Sequence, residues 1–431
     1  MTAGSSTVPV PVPRPERSGQ PLRVAFVTQW FPPEPVGLPL WIARSLAARG
    51  ADVHVVTGQP NYPDGRIQEG HSAWGTGRDD RDGLRVTRSP LYPSHSTSAL
   101  GRVANYLSFA GAASLAGRRV LRSADVVLVY GSPVTAAVPA LASGTPYVLV
   151  AQDLWPDSVV ATGYLDGDAA PVRLAARMSD ELYSRAAHVV AITDGMRTAL
   201  VDRGMPADHV SVVHNWVDET VLSPAAPDEG LRTAIGAADD DLVVLYAGTM
   251  GPAQGLSTAI EAVRLLGDRR DVHLALVGSG TERDALARQA RDAGLDRVHL
   301  LDPVDVGRIP GLVAAADLNL VSLADEPLFR MTLPSKLQGT LACGGTVLGA
   351  LAGDAAALVR ESGAGFVVPP GDAAALAEAL QRAAGTPRAE LRAGGQAGRR
   401  FYETTLSEAV NAEKLMTLLT EHARPRKGER S

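Results

Sequence analysis

Short aliphatic runs recur along this chain, each followed by a stretch of helical periodicity, and that alternation constrains the fold most. Residues 24–28 are apolar on both faces and too few for a helix, as expected of a strand buried in a parallel sheet. A Pro/Gly loop at 31–37 follows. A helical pattern around Ile42, Leu46 and Ala47 then ends at Gly50, and residues 52–56 form the next apolar run. Strand, helix and strand in this order make the building unit of a parallel sheet covered by helices. The rhythm continues with strands at 124–129, 147–151 and 189–192 and a helical stretch from Pro133. It restarts at 241–247 and continues through 272–277, 298–301, 318–321 and 346–350, with helices at 256–266, at 281–293 and from Ser335. This predicts an α/β chain with a disordered tail over 1–21, one domain over 22–222, a second over 223–405, and a last helix and tail over 406–431. The segment 223–230 reads as a linker or surface loop. Open parallel sheets bind ligands at the C-terminal edges of their strands.

Composition narrows the function classes. The 431 residues carry a net charge of −6, and no basic stripe is evident, which argues against a nucleic-acid partner. The lone cysteine, Cys343, excludes an intrachain disulfide and fits a reducing cytoplasm. No run of about 18 apolar residues is present, and the Pro/Ser-rich start lacks the apolar core of a signal peptide. His209 and His214 lack companions at ligand spacing, so no metal is expected. No Gly-x-Ser-x-Gly elbow or Walker lysine loop occurs. Arg118, Arg119 and Arg122 lie near apolar residues and could make a peripheral membrane contact, although a solvated helix face is the plainer expectation.

Four segments at strand ends carry residues suited to chemistry. Gly248-Thr249-Met250-Gly251, with Gln254 beyond it, joins a strand to a helix. Its glycines admit a ligand close to the backbone, and the helix start offers N–H groups to a phosphate; an ordinary βα turn has the same pattern. Gly278-Ser279-Gly280 begins like a dinucleotide fingerprint, but Arg283 occupies the place of its third glycine. Arg283 either faces a phosphate or is a surface arginine. In the segment 325–336, Pro334-Ser335 reads as a helix entry with Ser335 as candidate N-cap. Lys336 suits a diphosphate and Glu326 suits sugar hydroxyls, against a plainer reading as a capped helix with a solvated lysine. Finally, Asp153 and Trp155, with Asp157 after them, follow the strand at 147–151 and could hold a sugar or merely cap a helix.

These motifs, in this order, resemble the family 4 glycosyltransferases of the GT-B fold, in the branch related to the bacterial fucosamine transferase WbuB. The resemblance spans about residues 22 to 420 and is carried by Phe31-Pro-Pro-Glu34-Pro-Val-Gly37, Pro60-Asn-Tyr-Pro63, Gln152-Asp-Leu-Trp-Pro156, Asn215-Trp-Val-Asp218, the 247–251 and 278–280 glycine loops and Pro334-Ser-Lys336. It implies two facing Rossmann-like domains, with an acceptor domain first, a donor domain second, and a last helix crossing back. It implies retaining transfer without a cofactor or metal, from a nucleotide diphosphate sugar, expected to be UDP-linked, to a saccharide, lipid-linked or small-molecule acceptor. The family pattern assigns donor contacts to Gly248, Thr249, Met250, Gly251, Gln254, Gly278, Gly280, Val304, Thr332, Leu333, Pro334 and Ser335. Lys336 and Arg283 would neutralise the diphosphate, Glu326 would contact the donor sugar, and Asp153 would line the reaction centre. Gly37 and Trp155 would face the acceptor. A cytoplasmic place, at or near the inner membrane face, would follow.

The chain also departs from the pattern. The Glu-x7-Glu pair of the broader family is replaced by Met331 and Gly339, and Pro252-Ala253 stand where a basic residue is common. A UDP-sugar 2-epimerase-like enzyme and a non-catalytic sugar-nucleotide-binding protein are therefore the alternative readings.

Overall fold

The computed structural model describes residues 20–94, 99–154 and 170–425. Most of the expected 1–21 tail, Trp155 and Asp157 lie outside them. Two sheets organise the chain. The first contains β1 (Arg23–Val27), β2 (Asp52–Gly58), β3 (Gly77–Arg81), β4 (Leu84–Ser89), β5 (Val126–Tyr130), β6 (Tyr147–Ala151), β7 (His188–Ala191) and β8 (Val210–Val212). Their spatial order is β3-β4-β2-β1-β5-β6-β7-β8. The second contains β9 (Leu242–Ala247), β10 (Val272–Val277), β11 (Val298–Leu301), β12 (Leu318–Ser322), β13 (Val347–Ala350) and β14 (Gly365–Val368), in the order β11-β10-β9-β12-β13-β14.

In each sheet the first strand sits in the middle, and the order reverses beside it. The loops after β1 and β5, and those after β9 and β12, therefore splay apart at the carboxyl edge and leave a crevice where ligands of such sheets bind. The central strands are buried on both faces, which explains their unbroken aliphatic sequences.

The β3–β4 hairpin adds an antiparallel edge to the parallel run β4-β2-β1-β5-β6. Asp82 and Gly83 turn it with φ of 56° and 78°, the paired positive values of a tight primed turn. A search for aliphatic runs passes over β3 because it reads Gly-Arg-Asp-Asp-Arg, a charged edge that discourages pairing with another chain.

By internal contacts the chain divides into a first unit, 1–190 with 412–431, and a second, 191–411. This division falls earlier than residue 222 because the segment after β7 is tied into the second unit. The Thr193 hydroxyl donates to the Met331 carbonyl at 2.9 Å, and the Gly195 N–H donates to Asp354 at 2.9 Å. Val217 joins a core that includes Leu337, Leu341, Tyr402 and Leu406.

The C-terminal helix (Glu408–Glu421) belongs to the first unit from Ala412 onward. It buries Ala412, Leu415, Met416 and Leu419. Beyond it, His422 stacks on His188 with ring centroids 4.8 Å apart, and the Arg424 N–H donates to the Asp125 carbonyl at 3.0 Å.

Candidate active site

The second unit's crevice gathers most of the residues expected to hold a donor. Two glycine loops lie there backbone on backbone. The Gly248 N–H donates to Val277, Met250 N–H donates to Ser279 at 2.7 Å, and Glu282 N–H donates to Met250 at 3.0 Å. Side chains cannot fit between them. A Cβ on Gly278 would strike the Gly248 carbonyl, and one on Gly280 would strike that of Met250. All three glycines also hold positive φ, at 140° for Gly248, 139° for Gly278 and 150° for Gly280. The Met250 side chain is buried in the core, so this residue anchors the loop through its backbone and its thioether chain. Thr249 is exposed, and its carbonyl accepts from the Tyr246 hydroxyl. The Gln254 amide oxygen accepts from Gly251 N–H at 3.0 Å, closing the loop on itself.

Lys336 reaches this loop from the opposite side of the crevice. A Cβ on Gly248 would displace its ammonium, which also lies 4.6 Å from the Tyr246 ring centroid. Such a contact is a cation–π interaction. Lys336 has no carboxylate partner among the described residues. Burial pulls its pKa down to about 8, because a charged group removed from water without an opposite charge is disfavoured.

Lys336 is the second residue of the helix Ser335–Ala342. Ser335 is the first helical residue, not the N-cap; Pro334 takes that place and no side chain caps the helix. The reason is local: Pro334 has the extended ψ of 135° of an N-cap residue, and its carbonyl accepts from Leu337 N–H at 2.9 Å. The N–H groups of Ser335 and Lys336 carry no hydrogen bond among the described residues, and they sit at the positive end of the helix dipole.

The loop after β12 completes this edge. The Ala324 N–H donates to Ala253 at 2.9 Å, linking it to the first glycine loop. Glu326 is exposed at the start of a short turn (Pro327–Met331). The Thr332 hydroxyl donates to Leu328 at 3.1 Å, and Leu333 packs on the core. Arg283 opens the helix Arg283–Asp292 directly after the second glycine loop, and it pairs with exposed Asp302 at 3.0 Å. That exposed pairing leaves the guanidinium exchangeable toward a stronger anion. Val304 is half-buried on the loop after β11.

In the first unit, Asp153 follows β6 and accepts from the Ser132 hydroxyl at 3.3 Å. Gly37 begins the helix α1 (Gly37–Ala48), where a Cβ would strike the Trp41 ring. Glu34 has no site role legible in the sequence, yet this buried carboxylate ties two loops of the crevice. It accepts from Phe31 N–H at 3.0 Å and from Asn61 and Tyr62 N–H at 2.8 Å each. Burial pushes its pKa up to about 6 despite those three donors. Beside it, Trp30 packs against Tyr62 and Tyr106, and Asn105 accepts from the Gln29 amide at 2.5 Å. An aromatic wall with amide groups is a surface suited to a sugar ring. The signal for Glu34 is an acid within a Pro-rich loop, but two of its three partners lie 27 and 28 positions away. Among the described residues no group of three His, Cys, Asp or Glu side chains is arranged to hold a metal ion.

Comparison with known proteins gives the chain's family and fold. The family described as Glycosyl transferase 4-like domain matches residues 39–216, and the family described as Glycosyl transferases group 1 matches residues 241–385. The Escherichia coli (strain K12) protein named "Putative colanic acid biosynthesis glycosyl transferase WcaI" is 28% identical over 314 residues, covering 70% of this chain and 76% of that one. Among solved structures, sucrose-phosphate synthase from Thermosynechococcus elongatus superposes with a TM-score of 0.69 at 19% identity, covering 93% of this chain and 98% of the other. Anabaena HepE in complex with UDP and glucose superposes with a TM-score of 0.65 at 21% identity, covering 93% and 99%.

Proposed function

Because the chain belongs to the family 4 glycosyltransferases and has their GT-B fold, we propose that it moves a hexose or amino sugar from a UDP-sugar to an acceptor, with retention and without a metal. The observation that carries the donor assignment is the Lys336 ammonium, buried without a carboxylate against Gly248 at an uncapped helix start. Three features there favour a diphosphate: a cation, free N–H groups, and backbone that glycine leaves open. HepE, a neighbour in fold, is solved with UDP and glucose, which supports a uridine nucleotide.

In this reading Gly248 to Gly251 approach the diphosphate. Lys336 and Arg283 stabilise the negative charge that builds on it as the glycosidic bond breaks, the task a metal ion performs elsewhere. Ser335, with Thr332, Leu333 and Pro334, shapes the phosphate end, and Gln254 holds the loop. Backbone near Val304 reads the base, and Glu326 contacts the donor sugar. The first unit binds the acceptor at Trp30, Gly37 and Tyr62, with Asp153 lining the reaction centre. The acceptor is a saccharide, free or lipid-linked, and the WbuB-related branch is the subgroup the motifs fit best.

Thermal-shift measurements with UDP, GDP, ADP and NAD at matched concentration test the reading, since a ligand that binds only the folded state raises the melting temperature. UDP is expected to give the largest shift. A shift with GDP or ADP alone would replace the uridine assignment, and one with NAD alone would overturn the transferase reading. Added EDTA is expected to leave the transfer rate unchanged; a rate lost with EDTA and restored by a divalent cation would contradict the metal-free mechanism.

A further inference from the structure

The carboxyl edge of the second sheet sets out its polar groups in a row. Ala247, Val277 and Leu301 end β9, β10 and β11 and are register partners. Gly248, Gly278 and Asp302, which follow them, therefore stand level on three adjacent strands. Two strand spacings put Asp302 about 10 Å from Gly248. The loop after β12, which carries Glu326, lies on the other side of β9.

The Asp302 side chain is 92% exposed and meets the Arg283 guanidinium at 3.0 Å. Pro303 behind it favours extended backbone at Asp302, so the carboxylate stays at the strand end. Strand β10, the turn at Gly278 and Gly280, the helix Arg283–Asp292 and β11 make one parallel βαβ unit with an acid beyond its second strand. In nucleotide-binding units of this build, the glycine turn approaches phosphate and the acid accepts from ribose hydroxyls. The helix that carries Lys336 reads Ser-Lys-Leu-Gln-Gly-Thr-Leu-Ala and has no acid to offer those hydroxyls.

We propose that Asp302 reads the ribose of the nucleotide, accepting from its 2′ and 3′ hydroxyls. This rests on the proposed function and adds a direction to it. The donor sugar points toward Glu326, the diphosphate lies at Lys336 and Gly248, the ribose reaches Asp302, and the base lies beyond it at Val304. The strands β12, β9, β10 and β11 then present their loops in the order in which a sugar nucleotide presents its parts. Arg283 and Asp302 exchange partners as the nucleotide enters. The guanidinium turns to the diphosphate, where the fork of N–H groups is better used, and the carboxylate turns to the hydroxyls. An exposed ion pair contributes little, so giving it up costs little. The site thereby selects a ribonucleotide donor over a deoxyribonucleotide one.

Isothermal titration of wild type, D302A and D305N with UDP, 2′-deoxy-UDP, 3′-deoxy-UDP and inorganic diphosphate tests this. Wild type is expected to bind UDP about tenfold or more tightly than either deoxy analogue, the scale of one hydrogen bond to a charged acceptor. D302A should bind all three nucleotides alike, at the weaker level. Its affinity for inorganic diphosphate should stay level or rise, because Arg283 is freed. D305N alters a neighbouring exposed acid and should keep the preference. Asp302 is exposed, so D302A is expected to melt with wild type. A wild type indifferent to the hydroxyls, or a D302A that keeps the preference, would overturn the proposal. So would a D302A weakened toward inorganic diphosphate as much as toward UDP, or a preference lost in D305N. A wild type that binds none of the four ligands would overturn the proposed function along with it.

Discussion

Lys336 stands where an ammonium is comfortable only when an anion joins it. Its tetrahedral charge faces the Tyr246 ring and the Gly248 backbone, and burial holds its pKa near 8. Lys336→Ala is therefore expected to lower turnover by about a hundredfold or more, the scale of removing one preorganised charge, with the melting temperature unchanged or raised. Full turnover in that variant would remove the lysine from the mechanism. The pH dependence follows from the same group. The folded protein's pKa lies below the ordinary lysine value, so the free site loses its charge as pH rises through about 8. A bound diphosphate restores the proton, so nucleotide affinity should be flat below pH 7 and fall by up to tenfold per unit above 8. Calorimetry in buffers of different ionisation enthalpy should detect proton uptake on binding at pH 9. Gly248→Ala attacks the same contact from the backbone side, through the left-handed φ and the displaced ammonium, and should weaken nucleotide binding at least tenfold.

At the scale of elements, the strand–helix rhythm was legible because buried parallel strands must be aliphatic on both faces. The three glycines at 248, 278 and 280 were legible for a related reason, since loops after central strands need them to pack backbone on backbone. Elements whose signal is not apolar were missed. The charged strand β3 is one, and β4, which reads Leu-Arg-Val-Thr-Arg-Ser, is another. The polar tie made by Glu34 was also out of reach, because a carboxylate's backbone partners across a crevice leave no mark on local spacing. Ser335 misled the reading of its helix start: a hydroxyl one residue beyond an extended proline suggests a cap, yet the proline itself ends the extended segment. Glu34→Ala would leave three N–H groups without an acceptor, those of buried Phe31 and Asn61 and of half-buried Tyr62. It is expected to cost about 2–4 kcal/mol in chemical denaturation and to raise the acceptor KM more than it lowers kcat. Wild-type stability in that variant would mean the loops hold without the carboxylate.

For the whole molecule, sequence order and contact order differ. The chain leaves the first unit within β7, builds the second, and returns at Ala412. Deleting 412–431 removes Leu415, Met416 and Leu419 from the first unit's core, together with the His188–His422 stack. At about 2 kcal/mol for each large apolar side chain, the deletion should cost 5 kcal/mol or more and unfold that unit before the second. A single melting transition at the wild-type temperature would contradict this.

We propose above all that the second unit's crevice binds a nucleoside diphosphate through Lys336 and the Gly248 loop. Isothermal titration of UDP into wild type, Lys336→Ala and Gly248→Ala at pH 7 tests it most directly. Saturable binding to wild type at one site is expected, with at least tenfold weaker binding to each variant and all three folded. Equal affinity in all three would place the nucleotide elsewhere and remove Lys336 and the Gly248 loop from its site.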